Sequence, residues 1–231
     1  MSSEPIPPAS AGSMTPESFK AVVEDGYNIV APAYLAWSSP RPTTTRMGHL
    51  DKLISLLAPG ASVLELGCGA GVPCTRGFIE HGLKVTGVDI SATQIALARE
   101  HVPQATLIHR DMMSLSFEQG SFDAVVGFYS IIHLPQDEQG PMIRKMVEWL
   151  KEGGWMLFNL TVDAGDQMME DWMGAKMVWS GHGVEGNRKI LKEYGESLDI
   201  LEDEVAVEVV GKFEEQFHWI LATKKAPVSS E

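Results

Sequence analysis

The chain has 231 residues, of which 44% are hydrophobic, and this is enough for one domain, or one domain with additions, with a sizeable core. Its formal net charge of −13 at pH 7 repels phosphate backbones, and no cluster of Lys and Arg stands out against it. We therefore expect a small-molecule substrate and no nucleic-acid partner.

Composition also bears on the compartment. Cys68 and Cys74 have no second pair to complete a zinc site, so we expect reduced thiols and no metal. Residues 1–14 are rich in Ser and Pro and lack a signal-peptide pattern, and we expect disordered tails there and at 225–231. No uncharged apolar run reaches the ~18 to 20 residues of a membrane helix. The prediction is a cytoplasmic protein without a membrane partner, and its oligomeric state stays open.

A helical cap is predicted over residues 15–58. Thr15, a proline and an acid in succession are typical of a helix start, and this helix runs toward Gly26. A second helical segment is expected over 28–37, and apolar spacing between 47 and 57 predicts a further amphipathic helix.

The cap carries an aromatic stripe, since Tyr27, Tyr34 and Trp37 recur at near-helical spacing. These rings either pack against the core or form a lid over a bound ligand.

Residues 63–72, VLELGCGAGV, are an apolar run that ends in three alternate glycines. The run is typical of a strand buried on both faces, and Gly67, Gly69 and Gly71 predict a tight turn whose backbone N–H groups reach a ligand. A helix should follow, with its N-terminus at the same spot. The spacing G-x-G-x-G, preceded by Glu65, is one residue shorter than the dinucleotide pattern. It favours a nucleoside without a pyrophosphate.

Acids follow the next two predicted strands. Asp89 ends the strand over 84–89, near the offset of about 20 residues at which an acid meets ribose hydroxyls. Ser91 then begins an S-x-x-Q capping box. A third strand over 105–109 is followed by Asp111.

A fourth strand over 122–128 leads to His133, above the edge of the sheet where ligands of open α/β sheets bind. His133 is a candidate general base, and the alternative is a backbone hydrogen bond at a turn. A fifth strand is expected over 155–160.

The connection at 161–186 is rich in Met and Trp, which suits an apolar small molecule. The alternative is that these residues, at helical spacing, dock the segment on the core. The connection at 161–186 also contains His182, a second candidate base.

Alternation over 205–209 and 217–221 predicts an antiparallel hairpin after the five strand–helix units. The fold class is therefore α/β, with a doubly wound, mostly parallel seven-stranded sheet spanning 59–224.

Residues 65–71 resemble motif I of the class I S-adenosylmethionine-dependent methyltransferases, and the resemblance extends over about 16–224. It implies S-adenosyl-L-methionine as the cofactor and methyl transfer to an O, N or S atom of an apolar or aromatic small molecule. The resemblance also implies which residues contact the cofactor. They are Tyr34, Glu65, Gly67, Gly69, Gly71, Asp89, Ile90, Asp111, Met112 and Phe128. The adenine-amino methyltransferase motif is missing after the fourth strand, which reads GFYSIIHLP. This counts against DNA as the substrate.

Two other functions stay open from the sequence. One is a cofactor-dependent cyclisation or rearrangement without methyl transfer, and the other is a catalytically silent partner subunit.

Overall fold

The computed structural model describes residues 9–10, 14–38, 45–210 and 213–226. Its six α-helices within these ranges are α1 (Pro16–Ser38), α2 (Thr45–Leu56), α3 (Cys74–Glu80), α4 (Ala92–His101), α5 (Gln136–Trp149) and α6 (Gly183–Tyr194). The strands are β1 (Ala9–Ser10), β2 (Ser62–Leu66), β3 (Lys84–Asp89), β4 (Thr106–His109), β5 (Phe122–Gly127), β6 (Leu150–Thr161), β7 (Ala164–Trp172), β8 (Ala175–His182), β9 (Leu198–Val210) and β10 (Phe213–Lys224).

The main sheet has seven strands in the order β4-β3-β2-β5-β6-β10-β9. The five strands from β4 to β6 run parallel, and β10 is antiparallel to both of its neighbours. The predicted fold class is thus confirmed. The chain enters this sheet at β2, adds β3 and β4 on one side of it, and then adds β5 and β6 on the other side. The strand order therefore reverses between β2 and β5, and the carboxyl ends of these two strands border the crevice where such sheets bind ligands.

Both faces of the sheet are covered. One apolar cluster includes Leu64, Leu66, Met142 and Phe158, and the other includes Leu53, Val63, Phe78 and Trp219. Neighbours along a strand therefore alternate between two cores, which is why β2 is buried from Val63 to Leu66.

Helix α1 is continuous, whereas the sequence predicted two helical segments separated near Gly26. Gly26 stays helical because the helix packs there against β8: an added Cβ would lie 2.7 Å from the Lys176 carbonyl oxygen and 2.7 Å from Met177 Cε. The glycine marks a close contact between elements and not a helix end.

Residues 161–186 also differ from the expected loop and helix, because they form the hairpin β7–β8 and the first turn of α6. The hairpin turn is Met173-Gly174, with φ values of 55° and 96°. Two successive positive φ angles match the right-handed twist of a two-residue hairpin. The Met and Trp residues of this segment thus alternate across strands instead of following a helical stripe.

Most of the predicted tails, 1–8 and 11–13 at one end and 227–231 at the other, lie outside the described residues. Within the first tail, Ala9 and Ser10 pair with Met168 and Gln167 of β7. These two residues form a strand, whereas the sequence predicted disorder. Cys68 and Cys74 are free and buried. Among the described helices, none has both the length and the apolar character needed to cross a membrane.

Candidate active site

Two cavities lie at the carboxyl ends of the parallel strands. The first, called here the glycine cavity, is lined by residues that include Tyr34, Ser38, Arg46, Glu65, Gly67, Gly69, Gln94 and Phe128. The second, called the aspartate cavity, is lined by residues that include Lys20, Val23, Asp89, Ile90, Asp111, Met112 and His133. Nine of the ten expected cofactor contacts line one cavity or the other, and Gly71 lines neither.

The three glycines of the loop have different structural reasons, although all have positive φ. A Cβ on Gly67 would lie 2.3 Å from Ser130 Cβ, and one on Gly71 would lie 2.4 Å from Val102 Cγ2. A Cβ on Gly69 would meet only Gln94 Oε1, at 3.9 Å. Gly67 and Gly71 are therefore required by packing, whereas Gly69 has room for a Cβ beside the glycine cavity.

The loop amides are not the free donors that the sequence predicted. The N–H groups of Gly67 and Cys68 donate to the Val88 carbonyl at 2.7 and 2.9 Å. The N–H of Gly71 donates to the Cys68 carbonyl at 3.0 Å. That of Gly69 donates to Asp89 Oδ2 at 2.9 Å. A turn this tight uses these four donors to hold itself and the end of β3, so an anion in the glycine cavity would depend largely on side-chain donors.

Asp89 is held at both carboxylate oxygens, because Oδ1 accepts from the Ser91 N–H at 2.8 Å while Oδ2 accepts from Gly69. Burial raises the pKa of the Asp89 carboxyl to about 6, and these backbone hydrogen bonds oppose the rise. The acid after β3 is thus joined directly to the glycine loop after β2.

Glu65 is a buried acid within β2 and accepts a hydrogen bond from the Thr75 hydroxyl at 2.5 Å. Burial raises the pKa of its carboxyl to about 8, against the lowering effects of Thr75 and Arg46. A cation that entered the glycine cavity would favour the ionised form of this carboxyl.

Arg46 and Gln94 are site residues that the sequence reading missed. The guanidinium of Arg46 lies 5.5 Å from the centre of the Tyr129 ring, and its Nε is buried without a hydrogen-bond partner among the described residues. Both polar atoms of the Gln94 amide are also without a partner there. Ser91 caps α4 as predicted, by accepting from the Gln94 N–H at 3.1 Å, but the reciprocal half of the capping box is not formed. The Gln94 side chain lines the glycine cavity instead.

Asp111 has a double role at the aspartate cavity. Its Oδ1 accepts from the Met113 N–H at 2.9 Å, and its Oδ2 lies 2.8 Å from Lys20 Nζ. Lys20 is also 3.0 Å from Glu138 Oε1, while Glu138 Oε2 is buried without a partner among the described residues. The cationic residue of α1 therefore closes one side of this cavity.

His133 is buried, and both of its ring nitrogens are engaged. Nδ1 lies 2.9 Å from the Val178 carbonyl oxygen, and Nε2 lies 2.9 Å from the Tyr27 hydroxyl. Burial lowers the pKa of the imidazole to about 4. The ring is thus neutral at pH 7, and the backbone hydrogen bond that the sequence offered as an alternative is present.

His182 lies apart from both cavities. Its Nε2 donates to the Gln136 carbonyl at 2.9 Å, next to the start of α6. The geometry gives this residue a structural contact and does not bring it to the site.

An aromatic cluster connects α1 with the hairpin β7–β8. The Tyr27 ring lies 5.5 Å from Tyr34 and 5.7 Å from Trp172, both edge to face, and Trp172 lies 5.7 Å from Trp179. Tyr34 also lines the glycine cavity, so the stripe both packs on other elements and borders a cavity.

Comparison with known proteins agrees with this architecture. Residues 63–154 match the family described as a methyltransferase domain, a range that runs from the strand before the glycine loop to the start of β6. This match, together with the order of the strands in the sheet, supports a class I S-adenosylmethionine-dependent methyltransferase. S-adenosylmethionine is the cofactor of this family.

Among the relatives of this chain, the 2-methyl-6-phytyl-1,4-hydroquinone methyltransferase of a Synechocystis species is 34% identical over 104 residues, which are 44% of this chain and 32% of the relative. The matched region is less than half the length of each of the first curated relatives.

Two solved structures show the same fold over nearly the whole chain. The 1,6-didemethyltoxoflavin-N1-methyltransferase of Burkholderia thailandensis, with 1,6-didemethyltoxoflavin and S-adenosylhomocysteine bound, is 17% identical with a TM-score of 0.70, covering 95% of this chain and 94% of that one. The 4+2 cyclase SpnF is 17% identical with a TM-score of 0.64, covering 95% of this chain and 99% of that one. At such identities the likeness shows the fold alone.

Proposed function

We propose that this chain transfers the methyl group of S-adenosylmethionine to an O, N or S atom of an apolar or aromatic small molecule. One observation carries the proposal: Asp89 Oδ2 accepts a hydrogen bond from the Gly69 N–H at 2.9 Å, so the acid after β3 and the glycine loop border the same edge of the sheet. A nucleoside with an amino-acid group needs both features side by side.

The glycine cavity suits the amino-acid end of the cofactor. The ammonium group is proposed to lie near Glu65, and the carboxylate near Arg46, because four of the loop amides are already engaged. The unpartnered Arg46 Nε and Gln94 amide support a polar ligand there, since buried polar groups are normally hydrogen-bonded. Phe128 and Tyr34 supply the apolar walls.

The aspartate cavity suits the adenosine end. Asp89 is proposed to accept from the ribose hydroxyls, with Ile90 beside it, and Asp111 to accept from the adenine amino group, with Met112 against the ring. Lys20 competes for Asp111, so the two contacts are coupled.

When bound, the cofactor supplies a methyl group on a positively charged sulfur. The residues of this chain hold the reactants in line, which is worth ~7 to 11 kcal/mol, whereas a positioned base adds typically ~10²- to 10⁴-fold in rate. Since both nitrogens of His133 are engaged, positioning is the larger contribution here.

We infer the substrate class from the aromatic cluster. Tyr27, Tyr34, Trp172 and Trp179 lie between α1 and the hairpin β7–β8, beside both cavities, and rings of this kind bind planar apolar molecules. Segment 15–58 is then a cap, segment 161–186 is the substrate-side insertion, and the cofactor domain spans 59–224. A hydroquinone in the name of one relative and a bound heterocycle in a structural neighbour agree with this class.

We also infer a cytoplasmic location and no nucleic-acid substrate. The net charge of −13 and the two free, buried cysteines support these inferences.

The first experiment is calorimetric titration with S-adenosylhomocysteine. We expect binding by the unmodified protein, and the substitution Asp89→Ala should weaken it by about 1 to 3 kcal/mol, through lost hydrogen bonds to a charged group. Absence of binding by the unmodified protein would favour a silent partner subunit.

The second experiment is uptake of isotopically labelled methyl from S-adenosylmethionine into a panel of phenols, amines and thiols. Incorporation into at least one of them is expected. Conversion of a substrate with the methyl group retained on the cofactor would instead indicate a cyclisation or rearrangement, which the fold shared with a cyclase keeps open.

A further inference from the structure

Helix α1 lies along both cavities with one face. Lys20 lines the aspartate cavity and Tyr34 lines the glycine cavity, and Tyr27 is seven residues from each. Seven residues are close to two turns of an α-helix, about 10 Å, so the three side chains share a face and Tyr27 is at the midpoint. If the cavities hold the two ends of the cofactor, the sulfur between those ends lies at the level of Tyr27.

The hydrogen-bond direction at Tyr27 follows from its partner. The Val178 carbonyl can only accept, so His133 Nδ1 carries the ring hydrogen. The buried ring is neutral, and Nε2 therefore presents a lone pair to the Tyr27 hydroxyl at 2.9 Å. Tyr27 donates its hydrogen to His133, which leaves the phenolic oxygen free to accept from a third group.

We propose that the Tyr27 hydroxyl oxygen accepts a hydrogen bond from the O–H, N–H or S–H group that becomes methylated, and that His133 orients this hydroxyl. This inference rests on the proposed function and specifies its acceptor. Tyr27 then contacts the substrate, and His133 is a positioning residue. The substrate class is an aromatic molecule whose acceptor atom carries a hydrogen, and carbon acceptors and fully substituted heteroatoms are disfavoured.

The surroundings of Tyr27 agree with an aromatic acceptor. Its ring meets Tyr34, Trp172 and His133 edge to face, at centroid distances of 5.5, 5.7 and 5.2 Å. An aromatic substrate whose acceptor group reached the hydroxyl would have aromatic surfaces on α1 and on the hairpin β7–β8.

The test uses protein saturated with S-adenosylhomocysteine and two probes, β-naphthol and β-methoxynaphthalene, which differ in the hydrogen that Tyr27 is proposed to accept. We expect the unmodified protein to bind the naphthol about tenfold more tightly than its methyl ether, as one buried hydrogen bond allows. Tyr27→Phe should remove this preference and leave the affinity for S-adenosylhomocysteine unchanged. Tyr194→Phe, on α6, is the matched control and should keep the preference.

A double-mutant cycle tests the role of His133. The amide of His133→Asn lies at the level of Nδ1 and is too short to replace Nε2 as the acceptor of the Tyr27 hydrogen, so the substitution should reduce the naphthol preference, and adding Tyr27→Phe should have little further effect. His133→Gln retains a side-chain acceptor and should restore part of the preference.

A preference that survives Tyr27→Phe, strictly additive effects of the two substitutions, or no binding of either probe would overturn the inference. Failure to bind S-adenosylhomocysteine would instead overturn the proposed function, so the two failures are distinguishable.

Discussion

Lys20 Nζ lies 2.8 Å from Asp111 Oδ2 and joins helix α1 to the end of β4. The pair is partly buried, with exposed side-chain fractions of 15% and 27%, and Glu138 completes the cluster from α5. One lysine thus connects three elements at the edge of the aspartate cavity.

The substitution Lys20→Met should destabilise the protein by about 1 to 3 kcal/mol, because it leaves two partly buried carboxylates without their cation. Urea unfolding measures this change. Lys176→Met is the matched control: its pair with Glu170 has exposed fractions of 42% and 70%, so we expect a loss of no more than about 0.5 kcal/mol. Equal losses in the two variants would contradict the structural role of Lys20.

Glu65 should release a proton when the cofactor binds. Its carboxyl pKa of about 8 leaves it largely protonated at pH 7, and an ammonium group beside it favours the carboxylate. Calorimetric titration with S-adenosylhomocysteine at pH 7, in buffers of different ionisation enthalpy, should show release of up to about one proton. Glu65→Gln should abolish the release. If the variant releases as many protons as the unmodified protein, the ammonium does not lie at Glu65.

His133 should make stability depend on pH between its two pKa values. The folded pKa of about 4 is below the ordinary histidine pKa of 6.5, so the unfolded chain binds more protons in this interval. Stability should therefore rise as pH rises from about 4 to about 6.5, by at most about 1.4 kcal/mol per pH unit from this group. The cavity beside the ring also holds Lys20, Asp89, Arg110 and Asp111. Subtracting the unfolding curves of His133→Gln isolates the contribution, and a difference that does not change with pH would refute it.

Gly71→Ala should cost more stability than an equally strained glycine elsewhere. Its Cβ would lie 2.4 Å from Val102 Cγ2 at φ 76°, so we expect a loss of about 2 to 4 kcal/mol from strain and overpacking. Gly153 has a φ of 72°, and an added Cβ would have no atom of the described residues within 4 Å apart from its chain neighbours, so Gly153→Ala should lose about 1 to 2 kcal/mol. Urea unfolding compares them, and similar losses would mean that α4 can shift to admit the methyl group.

The repeating strand–helix units were predictable because their signals are local. An apolar run followed by glycine or an acid marked β2 and β3, and strict alternation marked the hairpin β9–β10. The predicted helix end near Gly26 was wrong, because the sequence does not distinguish a glycine that ends a helix from one that lets a neighbouring strand pack closely. The hairpin β7–β8 was missed because its turn uses Met173 at positive φ, where Asn or Asp is the usual signal.

The site was predictable where it lies at strand ends and not where it depends on distant contacts. Asp89, Asp111 and the glycine loop follow strands directly, so sequence order located them. Arg46 comes from the cap, and its neighbours in the glycine cavity, such as Glu65 and Phe128, are far away in sequence. The sequence contains no signal that would distinguish the Arg46 guanidinium from a solvated one. Gln94 was missed because its place in the S-x-x-Q pattern predicted a capping role.

The close contact at Gly26 has a consequence for ligand traffic. Helix α1 and strand β8 also share an apolar cluster of Phe19, Val23, Met177 and Val178, so they are fastened together along several turns. If helix α1 moves away from the cavities, the hairpin β7–β8 should therefore move with it. A substitution at Met177, which lines neither cavity, should then change the dissociation rate of S-adenosylhomocysteine.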